Sequence, residues 1–376
     1  MRFFKITNLI LGTLIAAVLI ICTVLLIMLS GPTNEPIFNS VPPAETESPT
    51  QITITTYGTT DFFHDIASSL EDTNHTISVL NYPMDSYYDI ANVLLHSNDC
   101  PDIVFVDNPA AIGTMLPENQ FVRIRDIYEF DAINGYDAGS AGCIDYIAPP
   151  LGTNSYVVYY NKELTDALGY TIDVPSLYEI AEVCESAHSK GYQGIALSLR
   201  SFTSLKNVLV QLADDTREDM MQSATNNFEK IRAYISADAA MHDYDDAINS
   251  FAQGNSCFYF GTELERIHLE RTCDFSIGQT LISVHGKPIQ WYDYYGMMAL
   301  CKNAPNILEA FNLIKALSSP NSEKDTQTIL NWSDNTSVST EVIKKNNWLF
   351  NDEGIHIPEY NNSIKTIQNI CTQALT

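Results

Sequence analysis

The chain is 376 residues long and 45% hydrophobic, with 46 acidic against 20 basic residues and a formal charge of −26 at pH 7. That length accommodates more than one domain. The acidic balance excludes a nucleic-acid binder, which needs a basic footprint, and disfavours docking on anionic lipid.

Arg2 and Lys5 precede an uncharged run of 21 residues, Leu9 to Leu29. About 20 apolar residues cross a bilayer as a helix, so residues 1–30 are expected to form one N-terminal transmembrane helix and act as a membrane anchor. A cleaved secretory signal has a shorter apolar region and a small-x-small cleavage site, which the Ser-Gly-Pro-Thr after Leu29 does not supply. A lipoprotein reading through Cys22 meets bulky Ile21 where a small residue is required. Basic residues before the span keep the N-terminus inside and place the rest on the extracellular face of the cell membrane. Residues 31–51, rich in Pro, Thr, Ser and Glu, read as a disordered linker. Seven cysteines follow the apolar run, and none are spaced as CxxC. They read mostly as small buried hydrophobes, and spacing does not choose a disulfide pair.

From Ile52 onward strands and helices alternate. ITITTY is a strand by its alternating β-branched residues, and FFHDIASSL after it has helical spacing. TISVL is the next strand and YYDIANVLLH the next helix. PDIVFV is a nearly all-apolar strand of the kind buried on both faces. DNPAAIGTML is expected to open a further helix. VVYYNKELTDALGY runs from a strand into a short helix closed by Gly169, and Ser176 with Glu179 makes a capping box for the helix SLYEIAEVCESAHSKG. GIALSL and SCFYFG read as strands; SFTSLKNVLVQLA, NFEKIRAYIS and YDDAINSFAQG read as helices. FSIGQTLIS, IQWYDYY and GMMALCK are β-rich. PNILEAFNLIKALSS and the tail from Ser339 return to helix. This rhythm argues for an α/β fold.

Several segments stand in a telling order: PDIVFVDNPAAIGTM, FVRIRDI, DYIAPPLGTNSYVVYYNKELTDALGY, VPSLYEIAEVCESAHSKGYQGIAL, AINSFAQGNSCFYFGTELERI and YDYYGMMALCKNAPNILEAFNLIKAL. Together, over Ile52 to Leu317, they resemble the extracellular solute-binding proteins of ABC importers, family 1, of the sugar-binding, maltose-binding-protein-like type. The resemblance implies the two-lobed periplasmic-binding-protein-like type II fold, with a hinge between lobes and a ligand cleft. Residues 52–154 plus 293–320 would form lobe one, and residues 155–292 plus 321–376 lobe two. It also implies capture of a small solute, a sugar or oligosaccharide, by a monomer that delivers it to an ABC permease in the membrane. No cofactor is implied.

Ligands of open α/β sheets sit outside the carboxyl ends of strands. That rule nominates Tyr57, Thr59, Asp61, Asp107 and Asn108 in the first lobe. Arg200, Phe202 and Glu263 are the candidates in the second, and Trp291, Tyr294 and Tyr295 at the crossing between them. Carboxylates, amides and Arg exchange hydrogen bonds with hydroxyls, while aromatic faces cover a pyranose. Each residue also has an ordinary structural role open to it. Asp61, Asp107 and Asn108 suit helix caps, Tyr57 and Phe202 the core, Arg200 a structural ion pair, Glu263 a solvated helix start, and the crossing aromatics hinge packing. Members of the family usually enter the envelope through a lipoprotein signal, whose small residue before the cysteine is replaced here by Ile21, which leaves the mode of attachment open, and Thr262-Glu263 stands where sugar binders often present an aromatic.

Two further readings use the same residues. One keeps the fold and makes the tethered binder a ligand-sensing accessory to a membrane receptor; the other keeps the binder and makes its solute a peptide, a polyamine or iron. The adjacent tyrosines Tyr87-Tyr88, Tyr159-Tyr160 and Tyr294-Tyr295 suggest iron, but strand alternation points the members of a pair apart. Catalysis finds no support, since G-x-S-x-G, a P-loop and a dinucleotide fingerprint are all missing.

Overall fold

The computed structural model describes residues 50–58, 75–107, 111–129, 145–214, 219–284, 286, 288–318 and 343–345. The first half carries β1 (Thr50–Tyr57), β2 (His75–Tyr82), α1 (Tyr87–Leu95), β3 (Ile103–Val106), β4 (Gly152–Asn161), α2 (Lys162–Leu168) and α3 (Leu177–Ser189). Next come β5 (Gln193–Ala196), α4 (Phe202–Leu212), α5 (Met220–Ile231), α6 (Tyr244–Ala252), β6 (Ser256–Thr262) and α7 (Arg266–Thr272). The chain continues with β7 (Ile277–Thr280), β8 (Gln290–Tyr295), β9 (Met297–Leu300), α8 (Ile307–Leu317) and β10 (Ile343–Lys345).

β1 pairs in parallel with β2, from Thr50↔His75 to Tyr57↔Tyr82, and with β3 at Ile54↔Ile103. β9 closes the far side antiparallel to β3, giving the order β2-β1-β3-β9. Every residue of β3 and β9 is buried, which is why both read as continuous apolar runs. α1 turns Tyr87, Ala91 and Leu95, at helical spacing, onto this sheet, and α8 adds Ala310, Phe311, Ile314 and Leu317 to the same core. Buried Asp102 ties the parts together by accepting from Thr53 N and Asn306 N, both at 2.8 Å.

The second sheet runs β10-β8-β4-β6-β5, with β7 also paired to β4. Alternation along β4 supplies two cores. Tyr156 and Val158 face one with Ile180, Val183, Leu205, Val208 and Phe228 of the covering helices, and Val157 and Tyr159 face the other with Tyr244, Ile248, Phe251 and Leu269. Asn161 caps α2 by accepting from Leu164 N, and Ser176 with Glu179 forms the expected capping box on α3. β4 and β8 also link the two sheets. Residues 152–155 pair antiparallel with residues 292–295, Leu151 and Tyr295 belong to the core of the first sheet, and Tyr156 and Trp291 belong to that of the second. Gly296, at φ +76°, turns the chain from β8 into β9, and a Cβ there would meet the Leu151 side chain at 2.8 Å.

Two expectations are corrected. In the described part of the segment after β3 the expected helix does not continue: Ile112 is extended (ψ 121°) and Gly113 is left-handed (φ 97°), which breaks the turn at Ala111–Thr114. The tail was expected to be helical, yet Ile343–Lys345 forms strand β10, pairing in parallel with Gln290–Tyr292. An exposed strand edge overrides local propensity there. The helix expected at FFHDIASSL, the apolar run Leu9–Leu29 and residues 31–49 of the linker lie outside the described residues, while Thr50 and Gln51, expected in the linker, open β1 because they pair with His75 and Thr76. Among the described residues no helix is long and apolar enough to cross a membrane.

Candidate ligand-binding site

The carboxyl ends of β1 and β3 put Tyr57, Gly58 and Asp107 on one wall of a cleft. The β4/β8 ribbon supplies Asn154, Tyr156, Asp293 and Tyr295 as its floor. The facing wall is Thr203, Lys206 and Asn207 of α4, Tyr244 at the start of α6, and Thr262, Leu264 and Glu265 after β6. The cleft encloses about 640 Å³ of space free of protein atoms, including open solvent at its mouth.

Its polar groups are arranged in pairs. The Tyr88 hydroxyl donates to the Asp107 carboxylate, and Asp107 N donates back to that hydroxyl at 3.1 Å. Asp293 accepts from the Tyr156 hydroxyl and has Lys206 Nζ at 3.6 Å. Glu265 accepts from Thr262 N at 2.9 Å and from the Tyr244 hydroxyl. Burial pushes the Glu265 carboxyl up to about 8, against the Thr262 hydrogen bond and the Lys206 charge. Thr262 and Glu265 form a capping box, and the chain reaches it through Gly261, where a Cβ would come within 2.0 Å of Glu265 Oε2.

Asp85, the chain neighbour of the lining residue Met84, bridges the walls. Its carboxylate accepts from Ser201 Oγ at 2.6 Å and from Tyr244 N at 2.9 Å, reaching the N-cap of α4 and the first residue of α6. Both are helix N-termini, where a carboxylate is favoured.

The model of the bacterial extracellular solute-binding protein family matches residues 66–351, more than half of the chain. The chain belongs to that family. In fold it is similar to an ABC transporter solute-binding protein from Thermotoga lettingae TMO bound with α-D-tagatose, at TM-score 0.64 and 15% identity over 87% of this chain and 94% of that one. It is also similar to an ABC substrate-binding protein from Listeria monocytogenes in complex with cycloalternan, at TM-score 0.61 and 11% identity over 87% and 99% of the two chains. A sugar transporter protein from Bacillus licheniformis in complex with stachyose aligns at TM-score 0.54 and 16% identity over 86% and 96%. The shared feature is the α/β architecture of two-lobed sugar-binding proteins. No curated protein matches the sequence.

Of the residues nominated in this solute-binding protein from sequence, Tyr57, Asp107 and Tyr295 meet in the cleft. Trp291 does not line it, being 3% exposed within the core of the second sheet. Phe202 packs against that core too, while exposed Arg200 donates from Nη1 to Met241 O at 3.4 Å. Glu263 turns to the ribbon, bonded to Ser155 and Gln279, and burial raises its carboxyl to about 7. Thr59, Asp61 and Asn108 lie outside the described residues, and Tyr294 is placed by its backbone opposite Thr153. Sequence reasoning missed Lys206, Asn207, Tyr244, Asp293 and Glu265. The Thr-x-x-Glu capping pattern at Thr262–Glu265 was a readable signal for the last of these; the others carry no motif.

Proposed function

We propose that this solute-binding protein captures a sugar or short oligosaccharide outside the cell and hands it, as a monomer, to an ABC permease. The observation that supports this most is the lining itself. The rings of Tyr57, Tyr156, Tyr244 and Tyr295 share one cleft with Asp107, Asp293, Lys206 and Asn207, and apolar faces beside hydrogen-bonding groups are what a pyranose requires. The sugars held by similarly folded proteins agree with it. On this reading the bodies built on the two sheets are lobes, divided near residues 154 and 293, that close about the β4/β8 ribbon. The Leu9–Leu29 run anchors the binder in the membrane, and no chemistry follows capture.

The test is a thermal-shift screen of residues 51–376 against mono- and oligosaccharides, with peptides, polyamines and ferric citrate as controls. A ligand at a hundred times its dissociation constant stabilises the fold by about 2.7 kcal/mol. A shift with one saccharide class is expected. A shift with a control alone would remove the sugar assignment.

If closure accompanies binding, Asp85→Ala removes the two hydrogen bonds between the walls. Asp85 is exposed, so together they are worth about 1–2 kcal/mol. Affinity measured by calorimetry should fall roughly five- to thirtyfold while the unfolding temperature hardly moves. Unchanged affinity would show that the bridge plays no part in closure.

A further inference from the structure

Asn207 is an awkward residue where it stands. It sits within α4, is 0% exposed, and neighbours Val208, Leu209 and Val210 on a helix buried almost throughout. Asn is a poor helix former, and a buried amide without partners is costly. Its main-chain carbonyl accepts from Gln211 Nε2 at 3.1 Å, yet its side-chain Nδ2 and Oδ1 have no hydrogen-bond partner among the described residues. Asn207 lines the cleft.

From the opposite wall, Tyr57 presents the same anomaly. It is 6% exposed, its ring is held edge-on to Tyr87 at 4.9 Å, and its hydroxyl has no partner among the described residues. Tyr57 lines the same cleft, beside Asp107 and Tyr295. Its neighbour Tyr87, by contrast, donates to Phe105 O at 2.7 Å. Buried polar groups are nearly always satisfied, so an unsatisfied one calls for an explanation. Of the residues with such groups among those described, Tyr57 and Asn207 are the two that line this cleft, one from each wall.

We propose that Tyr57 and Asn207 form an uncharged subsite that reads a pair of adjacent hydroxyls on the ligand. The inference rests on the saccharide reading of the cleft and deepens it. An amide places a donor and an acceptor side by side on a rigid plane, so one hydroxyl donates to Oδ1 while its neighbour accepts from Nδ2. The Tyr57 hydroxyl, both donor and acceptor, completes the pair from the other wall. An anionic ligand group gains little here, since neither residue carries charge, the Asp107 carboxylate stands beside Tyr57, and Lys206 already faces Asp293 at 3.6 Å. Because a buried polar pair rejects an analogue that lacks its partner, the subsite sets specificity as well as affinity.

The experiment uses Tyr57→Phe and Asn207→Leu, each removing the polar atoms while keeping most of the bulk. Ligand-free melting temperatures come first. Neither variant should melt lower than the parent, because no hydrogen bond within the protein is lost; a fall of many degrees would make the groups structural and overturn the subsite. Calorimetry then follows with maltose, raffinose, xylobiose, D-tagatose and ribitol. Each variant should weaken whichever of these the parent binds by about five- to fiftyfold. Parent binding that both variants leave intact would overturn the subsite alone. If no sugar or polyol on that panel binds the parent, the saccharide reading fails and the hydroxyl assignment falls with it.

Discussion

Glu265→Gln is expected to stabilise the protein at pH 8 and to flatten its stability profile above neutrality. Glu265 is 2% exposed and its carboxyl is raised from the usual 4.5 to about 8, first by burial. Its surroundings are the Thr262 N–H, the Tyr244 hydroxyl, the Lys206 charge and the Tyr159 ring. With a folded value above the unfolded one, the folded chain holds this proton more tightly. Its contribution is therefore fully present below about 4.5 and is lost as pH rises through about 8. At about 1.4 kcal/mol per unit, the loss approaches roughly 3–5 kcal/mol by pH 8. Gln keeps an acceptor for Thr262 N, offers its amide to the Tyr244 hydroxyl and never ionises. The variant should match the parent near pH 5 and exceed it by roughly 3 kcal/mol at pH 8.

Asp245, raised to about 6, and Glu263, raised to about 7, are pushed in the same direction, mainly by burial. Both variant and parent should therefore lose stability between pH 4 and pH 7. The discriminating window is pH 7–8, where the parent's melting temperature keeps falling and the variant's levels off. Parallel profiles in that window would sink the assignment of the effect to Glu265.

Trp291→Ala carries the second large effect, on stability rather than on ligand contact. Trp291 is 3% exposed in the core of the second sheet, on a strand held between β4 and β10. Truncating a buried Trp costs about 3–5 kcal/mol through lost burial and the cavity left behind. Chemical denaturation should show a midpoint lowered accordingly, with affinity in the folded variant changed less than about threefold because the indole does not line the cleft. A variant of parental stability that no longer bound any solute would return Trp291 to the site.

The contrast between Trp291 and Tyr295 shows where sequence reasoning stopped. They lie on one strand, four residues apart, and by alternation on one face. Yet the ribbon runs between two bodies, so Trp291 is buried in the second core while Tyr295 joins the first core and lines the cleft. The sugar-site pattern in the sequence named both; only one reaches the cavity. Lys206 and Asn207 were hidden for a related reason. Within SFTSLKNVLVQLA they look like ordinary polar positions of an amphipathic helix, and only the docking of α4 across from β1 and β3 turns them inward.

By itself the sequence determined the α/β alternation, the all-apolar strands β3 and β9, the capping of α3 and the family, because each rests on local period, composition or the order of segments. The tertiary structure alone decided what meets in the cleft. Asp85 bonds to partners 116 and 159 residues away, and Tyr156 donates to Asp293, 137 residues away. Glu265 owes its raised carboxyl to burial, which no neighbour in sequence encodes. Helices and strands follow from interactions a few residues apart, whereas a site depends on distances through space that only the packed chain sets.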